Sequence, residues 1–194
     1  MTALKVRPCR DIEEFMDAIG AISEYFGGER NQERAERFLR VHPLERLHAA
    51  FEGERIVGGA GALPLELTVP GATVRAAGVT VVGVYPTHRR RGVLTAMMRA
   101  QLDDLRRRRE PIAALWASEE RIYGRFGYGL ASYNGDMSLE RDRSGFAAPL
   151  ERRGTVRLVD QEEALEYFLP VWDAVRVETP ACSRAPATGG RRAR

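Results

Sequence analysis

The chain has 194 residues, a net charge of +3, 44% hydrophobic and 29% charged residues, a composition that suits a globular α/β protein rather than a polyanion binder. Two cysteines without a CxxC pair argue against a disulfide framework or thiolate metal site, and three histidines without helical spacing add no metal ligand set. No apolar run approaches ~20 residues and no apolar signal core opens the chain, so it reads as cytoplasmic and without a membrane partner.

Leu4 to Pro8 reads as a short strand. Asp11 is a plausible N-cap with Glu14 as capping-box partner, and Ile12, Phe15, Met16, Ile19, Ile22 and Phe26 then recur at helical spacing until Gly27-Gly28. Residues 31–40 read as a second, more polar helix ending before Pro43. From Leu44 the period changes, predicting strands over Leu47 to Phe51, Arg55 to Val69 and Val74 to Val84, with Pro70-Gly71 as a turn. The helix from Val93 carries Leu94, Met97, Met98, Leu102 and Leu105 on one side and closes with Arg106 to Arg109, cations at a negative helix end. Ile112 to Trp116 reads as a buried parallel strand. A short helix over Glu119 to Gly124 and a final strand over Tyr128 to Leu139 complete the pattern, which on periodicity alone supports a mixed α/β fold with one sheet.

The stretch from Val82 to Leu94 carries the chemistry. An apolar strand stops at Pro86, three arginines (Arg89, Arg90, Arg91) and Gly92 follow, and a helix begins. A glycine-containing loop at a helix start is a phosphate cradle, because free N–H groups and the positive end of the helix dipole face outward together. Neither Walker spacing nor GxGxxG is present. Arg89–Arg91 and Arg106–Arg109 fall at opposite ends of one helix, about 22 Å apart, without interleaved aromatics, so nucleic acid is not an expected partner.

Val-x-Val-x-Pro followed by Arg-x-x-Gly resembles motif A of the GCN5-related N-acetyltransferases (GNAT). More narrowly, Pro86 to Leu94, with Ala117-Ser118-Glu119 and Ile122 to Gly129 downstream, resembles the Eis (enhanced intracellular survival) type within that superfamily. The resemblance spans roughly residues 4–140 and, more weakly, 154–177. It implies the GNAT acyl-CoA N-acyltransferase fold with acetyl-CoA as cosubstrate. The acceptor it implies is a small-molecule amine or a lysine side chain, aminoglycoside-like polyamines included, and Glu24 and Glu29 are expected to lend the pocket acidity.

On that resemblance, the cofactor-binding residues are Val82, Val84, Arg89, Arg90, Gly92, Val93, Leu94 and Ser118. Gly92 is expected to admit close backbone approach, and Gly83 to mark a bulge. Tyr123 is the expected catalytic acid toward the leaving thiolate. Tyr128 is its rival, read chiefly as core. In the Eis type the base is the carboxylate of the chain's own C-terminus; here that role falls to water or an acid such as Glu24. The alternative reading is an acetyl-CoA-binding module without turnover. The resemblance also allows a homo-oligomer.

The domain reading is an acetyltransferase domain over residues 1–140, a linker over 141–153, and the incomplete opening β-α of a second acetyltransferase-like domain over 154–177, its strand at Val156 to Val159. A tail over 178–194, rich in Ala, Arg, Pro and Gly, reads as disordered.

Overall fold

The computed structural model describes residues 4–133, 135–148, 151 and 154–184. Strands β1 (Leu4–Pro8), β2 (Leu47–Glu52), β3 (Arg55–Val69), β4 (Ala72–Val84) and β5 (Ile112–Leu115) lie side by side in that order. All neighbours are antiparallel except β4 and β5, which run parallel and are joined by helix α3 (Val93–Arg107).

Helix α1 (Ile12–Tyr25) starts where the sequence predicts. The Asp11 carboxylate accepts the Glu14 N–H at 2.8 Å, and the Glu14 carboxylate reaches back to the Arg10 N–H at 2.9 Å. Gly27 at φ +69° ends it. Helix α2 (Gln32–Leu39) is capped by Asn31, whose side chain accepts the Arg34 N–H at 2.8 Å.

The alternation along β2 divides the core between two sheet faces. Leu47, Ala49 and Phe51 pack with Phe15, Met16 and Ala18 of α1 and Ala35 of α2. Ala50 instead joins Val57, Ala60, Val93 and Met97 beneath α3. The sheet is thus covered by α1 and α2 on one side and α3 on the other.

Three expectations fail beyond β5. Tyr128 to Leu139 forms no strand among its described residues, and Leu130, Tyr133, Met137 and Leu139 are exposed. A strand there needs an edge to pair with, and β5 is only four residues long. Val156 to Val159 also forms no strand, with Val156 and Leu158 almost fully exposed, although α4 (Gln161–Arg176) follows with Asp160 as its cap. The expectation of disorder from residue 178 onward is corrected over the described part: β6 (Ser183–Arg184) pairs with β3 at Leu67 and Glu66, where β3 has outrun β2. Residues 185–194 of that tail lie outside the described residues.

Candidate active site

The site is built on an opened strand edge. Strand β5 pairs with β4 from Ala76–Ile112 to Val79–Leu115 and then ends, while β4 continues to Val84. Thr80 through Val84 keep β3 on one side and, among the described residues, have no strand on the other. A bulge falls here: Gly59 faces Gly83 and Gly61 faces Thr80, so Val81 and Val82 together oppose Ala60. Val81 adopts φ +48°, a region β-branched residues rarely enter. The bulge therefore lies just before Gly83 and not at it. Gly83 is needed for a different reason, since a Cβ there would sit 2.9 Å from the Cβ and N of Ile22 on α1.

The arginine loop closes one end. Pro86–His88 form a 3-10 turn, Arg90 takes φ +60° and Gly92 φ +83°. Gly92 is the N-cap of α3; its carbonyl accepts the Ala96 N–H at 3.0 Å, and the N–H groups of Val93, Leu94 and Thr95 have no acceptor among the described residues. A Cβ on Gly92 would meet no protein atom within 4 Å, so within the protein it is the backbone angle that calls for glycine.

The three arginines divide between two tasks. Arg91 donates to the Glu52 carboxylate at 2.5 Å, and His88 Nε2 lies 3.4 Å from the same carboxylate. His88 is buried, with Thr87 Oγ1 2.8 Å from its Nδ1. These contacts tie the loop to the end of β2. Arg89 and Arg90 line the cavity, Arg89 with its guanidinium 5.8 Å from the Tyr25 ring centroid.

That cavity, of about 390 Å³, brings together all nine residues nominated from the sequence. Val82 and Val84 come from β4, Arg89, Arg90 and Gly92 from the loop, Val93 and Leu94 from α3, and Ser118 and Tyr123 from the segment after β5. Free N–H groups, three arginines (Arg89, Arg90 and Arg125) and an open strand edge in one cleft fit a diphosphate followed by an amide-bearing arm.

Tyr123 sits between two 3-10 turns, Glu120–Ile122 and Gly124–Phe126, and is 9% exposed. Burial pushes its phenol above the ordinary tyrosine value, and the nearby Glu119 charge adds to the rise. Tyr128 packs edge-on against it at 5.9 Å. Burial pushes Tyr128 further, to about 12, and its hydroxyl is buried without a partner among the described residues.

A second cavity, of about 640 Å³, is lined by residues of α1, α2, β4 and the end of β5. It shares Ile22, Val82, Ser118 and Tyr123 with the first, so the two clefts adjoin along these residues. Glu24 is exposed and lines neither cavity, and Glu29 lines neither. Sequence reasoning missed Tyr25, Thr95, Glu119 and Arg125 in the first cleft and Arg34, Phe38 and Trp116 in the second. Glu119 and Arg125 stood inside the downstream motif; the α1 and α2 residues carry no local signal. Among the described residues no cluster of His, Cys, Asp and Glu could hold a metal, and no helix is long and apolar enough to cross a membrane.

The sequence and the fold have counterparts in known proteins. The acetyltransferase (GNAT) domain family matches residues 5–131, and this chain belongs to it. It is 48% identical over 127 residues to an uncharacterized N-acetyltransferase of Streptomyces avermitilis, covering 64% of this chain and 31% of that protein. It is 40% identical over 136 residues to N-acetyltransferase Eis of Mycobacterium tuberculosis, covering 68% of this chain and 34% of that one. The crystal structure of Eis1 from Mycobacterium abscessus superimposes with a TM-score of 0.59 at 39% identity, over 66% of this chain and 32% of that one. The chain thus spans about a third of the length of the curated relatives it matches.

Proposed function

We propose that this chain transfers an acetyl group from acetyl-CoA to a primary amine, with the cosubstrate in the first cleft and the amine entering from the second. The observation that carries the reading is that Tyr123 lines both clefts, together with Ile22, Val82 and Ser118. The pyrophosphate lies on the N–H groups of Val93, Leu94 and Thr95, flanked by Arg89 and Arg90. The pantetheine arm pairs with the open edge from Thr80 to Val84. A backbone N–H at Val82 or Val84 faces the thioester carbonyl and stabilises the charge that develops there, an effect worth about 3 kcal/mol per donor.

The neutral amine attacks the thioester carbon; a C–N bond forms, the C–S bond breaks and the thiolate departs. Tyr123, held neutral by its burial, donates its hydroxyl hydrogen toward that sulfur. A phenol already above ~10 holds its proton more tightly than a thiol near ~8.5, so hydrogen-bond donation as charge grows is the larger part of its role. The proton shed by nitrogen leaves through solvent, since the described lining of the second cleft contains no carboxylate. The cytoplasm, where acetyl-CoA is abundant, is the compartment this reading favours.

The test follows thiol release from acetyl-CoA in the presence of an amine, alongside calorimetric titration with the cosubstrate. Tyr123→Phe lowers turnover by about 100-fold, the general-acid range, and leaves cosubstrate affinity unchanged. Binding without thiol release for the native chain would leave an acetyl-CoA-binding module instead.

A further inference from the structure

The walls of the second cleft specify a class of acceptor. Resting on the proposal that the amine enters there, we infer that the acceptor is an arylalkyl primary amine bearing a carboxylate, and not a polycation. Phe26 and Trp116, 65% and 78% exposed, supply aromatic surface, while Phe38 lines the cleft with its ring stacked on Phe15 and His42. Exposed aromatic faces on a concave site fit a flat apolar ligand body.

Arg34 is the only residue with a formal charge among those lining this cleft. Its backbone N–H is spent on the Asn31 cap, and its exposed guanidinium forms no ion pair with the described residues. The acids of the adjoining helices lie outside the lining, exposed Glu24 among them. Glu13 and Asp17 both pair with Arg30, Glu33 lies 3.9 Å from Arg37, and Glu36 accepts from Gln32 at 3.0 Å. A polyamine would meet a like charge at Arg34 and find no carboxylate in the lining. A carboxylate on an aromatic amine would find an unengaged guanidinium suited to bidentate pairing.

The experiment compares kcat/KM for 4-(2-aminoethyl)benzoate, phenethylamine and kanamycin by thiol release from acetyl-CoA. The expected order places the carboxylate about fivefold above phenethylamine, the value of an exposed ion pair, with kanamycin last. Arg34→Ala brings the ratio of the first two near one, and Arg34→Glu inverts it. Kanamycin as the best acceptor, or a ratio untouched by Arg34→Ala, overturns the inference. If no amine releases thiol, the same compounds are titrated into the chain loaded with coenzyme A, reading Trp116 fluorescence against Trp116→Phe as blank. Arg34-dependent preference for the carboxylate then upholds this inference while acetyl transfer fails. Absence of binding, or tighter binding of kanamycin, overturns it.

Discussion

Gly59 on β3 and Gly83 on β4 face each other across the sheet, and α1 lies on both of them. A Cβ at Gly59 would come within 2.5 Å of the Ala18 carbonyl oxygen, and one at Gly83 within 2.9 Å of the Ile22 backbone nitrogen. Both obstacles are main chain in one helix, so neither can turn aside as a side chain would. Gly59→Ala and Gly83→Ala are each expected to destabilise the fold by about 1–3 kcal/mol, the range for overpacking. Gly124→Ala, where a Cβ meets nothing within 4 Å, serves as the control. Denaturant unfolding measures all three. Equal stability of the Gly83 and Gly124 variants would refute the contact.

The helix-on-glycine contact bears on how the site was legible. The arginine loop and Tyr123 could be read in advance, because a phosphate cradle is made of consecutive residues, and the downstream motif is short. Strands β1 to β4 and helices α1 to α3 were equally visible, since their apolar periods are long. What could not be read came from contacts distant in sequence. Arg46 and Glu110 are 64 positions apart. Tyr85, 68 positions from Asp17, donates its hydroxyl to that residue's carbonyl at 2.9 Å and presses on α1 at Gly20. The strand expected at Tyr128 to Leu139 had a suitable composition, but the edge strand β5 offers only four residues to pair with. Val81, a β-branched residue at positive φ, is the opposite of what a bulge position advertises.

The division of labour among the three loop arginines predicts a separation of effects. Arg89→Ala with Arg90→Ala removes the two loop cations that line the cavity and is expected to weaken acetyl-CoA binding by about 10- to 100-fold, taking hydrogen bonds to charged groups at about 1.5–3 kcal/mol. Arg91→Ala instead frees Glu52 from one of its two partners. Its effect is expected on thermal stability, with affinity changed by less than a quarter of that loss. Calorimetric titration with acetyl-CoA decides between the two; a larger loss at Arg91 would reverse the assignment.

Gly92→Ala separates conformation from space. Nothing in the protein obstructs the added methyl group, but φ +83° costs a residue with a Cβ about 1–2 kcal/mol. The variant is expected to lose that much stability, or to let the loop relax and turn the first N–H groups of α3 away from the cleft. Only the second route weakens acetyl-CoA binding, by about tenfold for each 1.4 kcal/mol. Unfolding and cosubstrate titration on the same sample apportion the loss, and no change in either would remove the argument from backbone angle.

Arg46 and Glu110 form a buried pair, with side chains 4% and 6% exposed and bonds of 2.8 and 2.6 Å. The Arg46 Nε also donates to the Ala62 carbonyl at 2.9 Å. Removing one partner leaves the other charged and desolvated, so Glu110→Leu or Arg46→Met alone is expected to cost about 3–5 kcal/mol. The double variant Arg46→Met with Glu110→Leu should lose less than the sum of the single changes, because no orphan charge remains. Urea melts of the four proteins close the cycle, and strict additivity would contradict it.

Glu14 gives the fold an acid limit. Its carboxylate accepts two bonds from Arg7, at 2.6 and 2.7 Å, and one from the Arg10 N–H. The Arg7 bonds outweigh the opposing effect of burial and hold the group at about 2, below the ordinary carboxylate range. A folded value below the unfolded one means that stability is fully present above the unfolded value, about 4.3, and drains away as pH falls toward the folded one. Native melting temperature is therefore expected to drop more steeply than that of Glu14→Gln between about pH 5 and about pH 2, the two curves converging at the acid end. Parallel curves across that window would show that the Arg7 contact contributes nothing to folding.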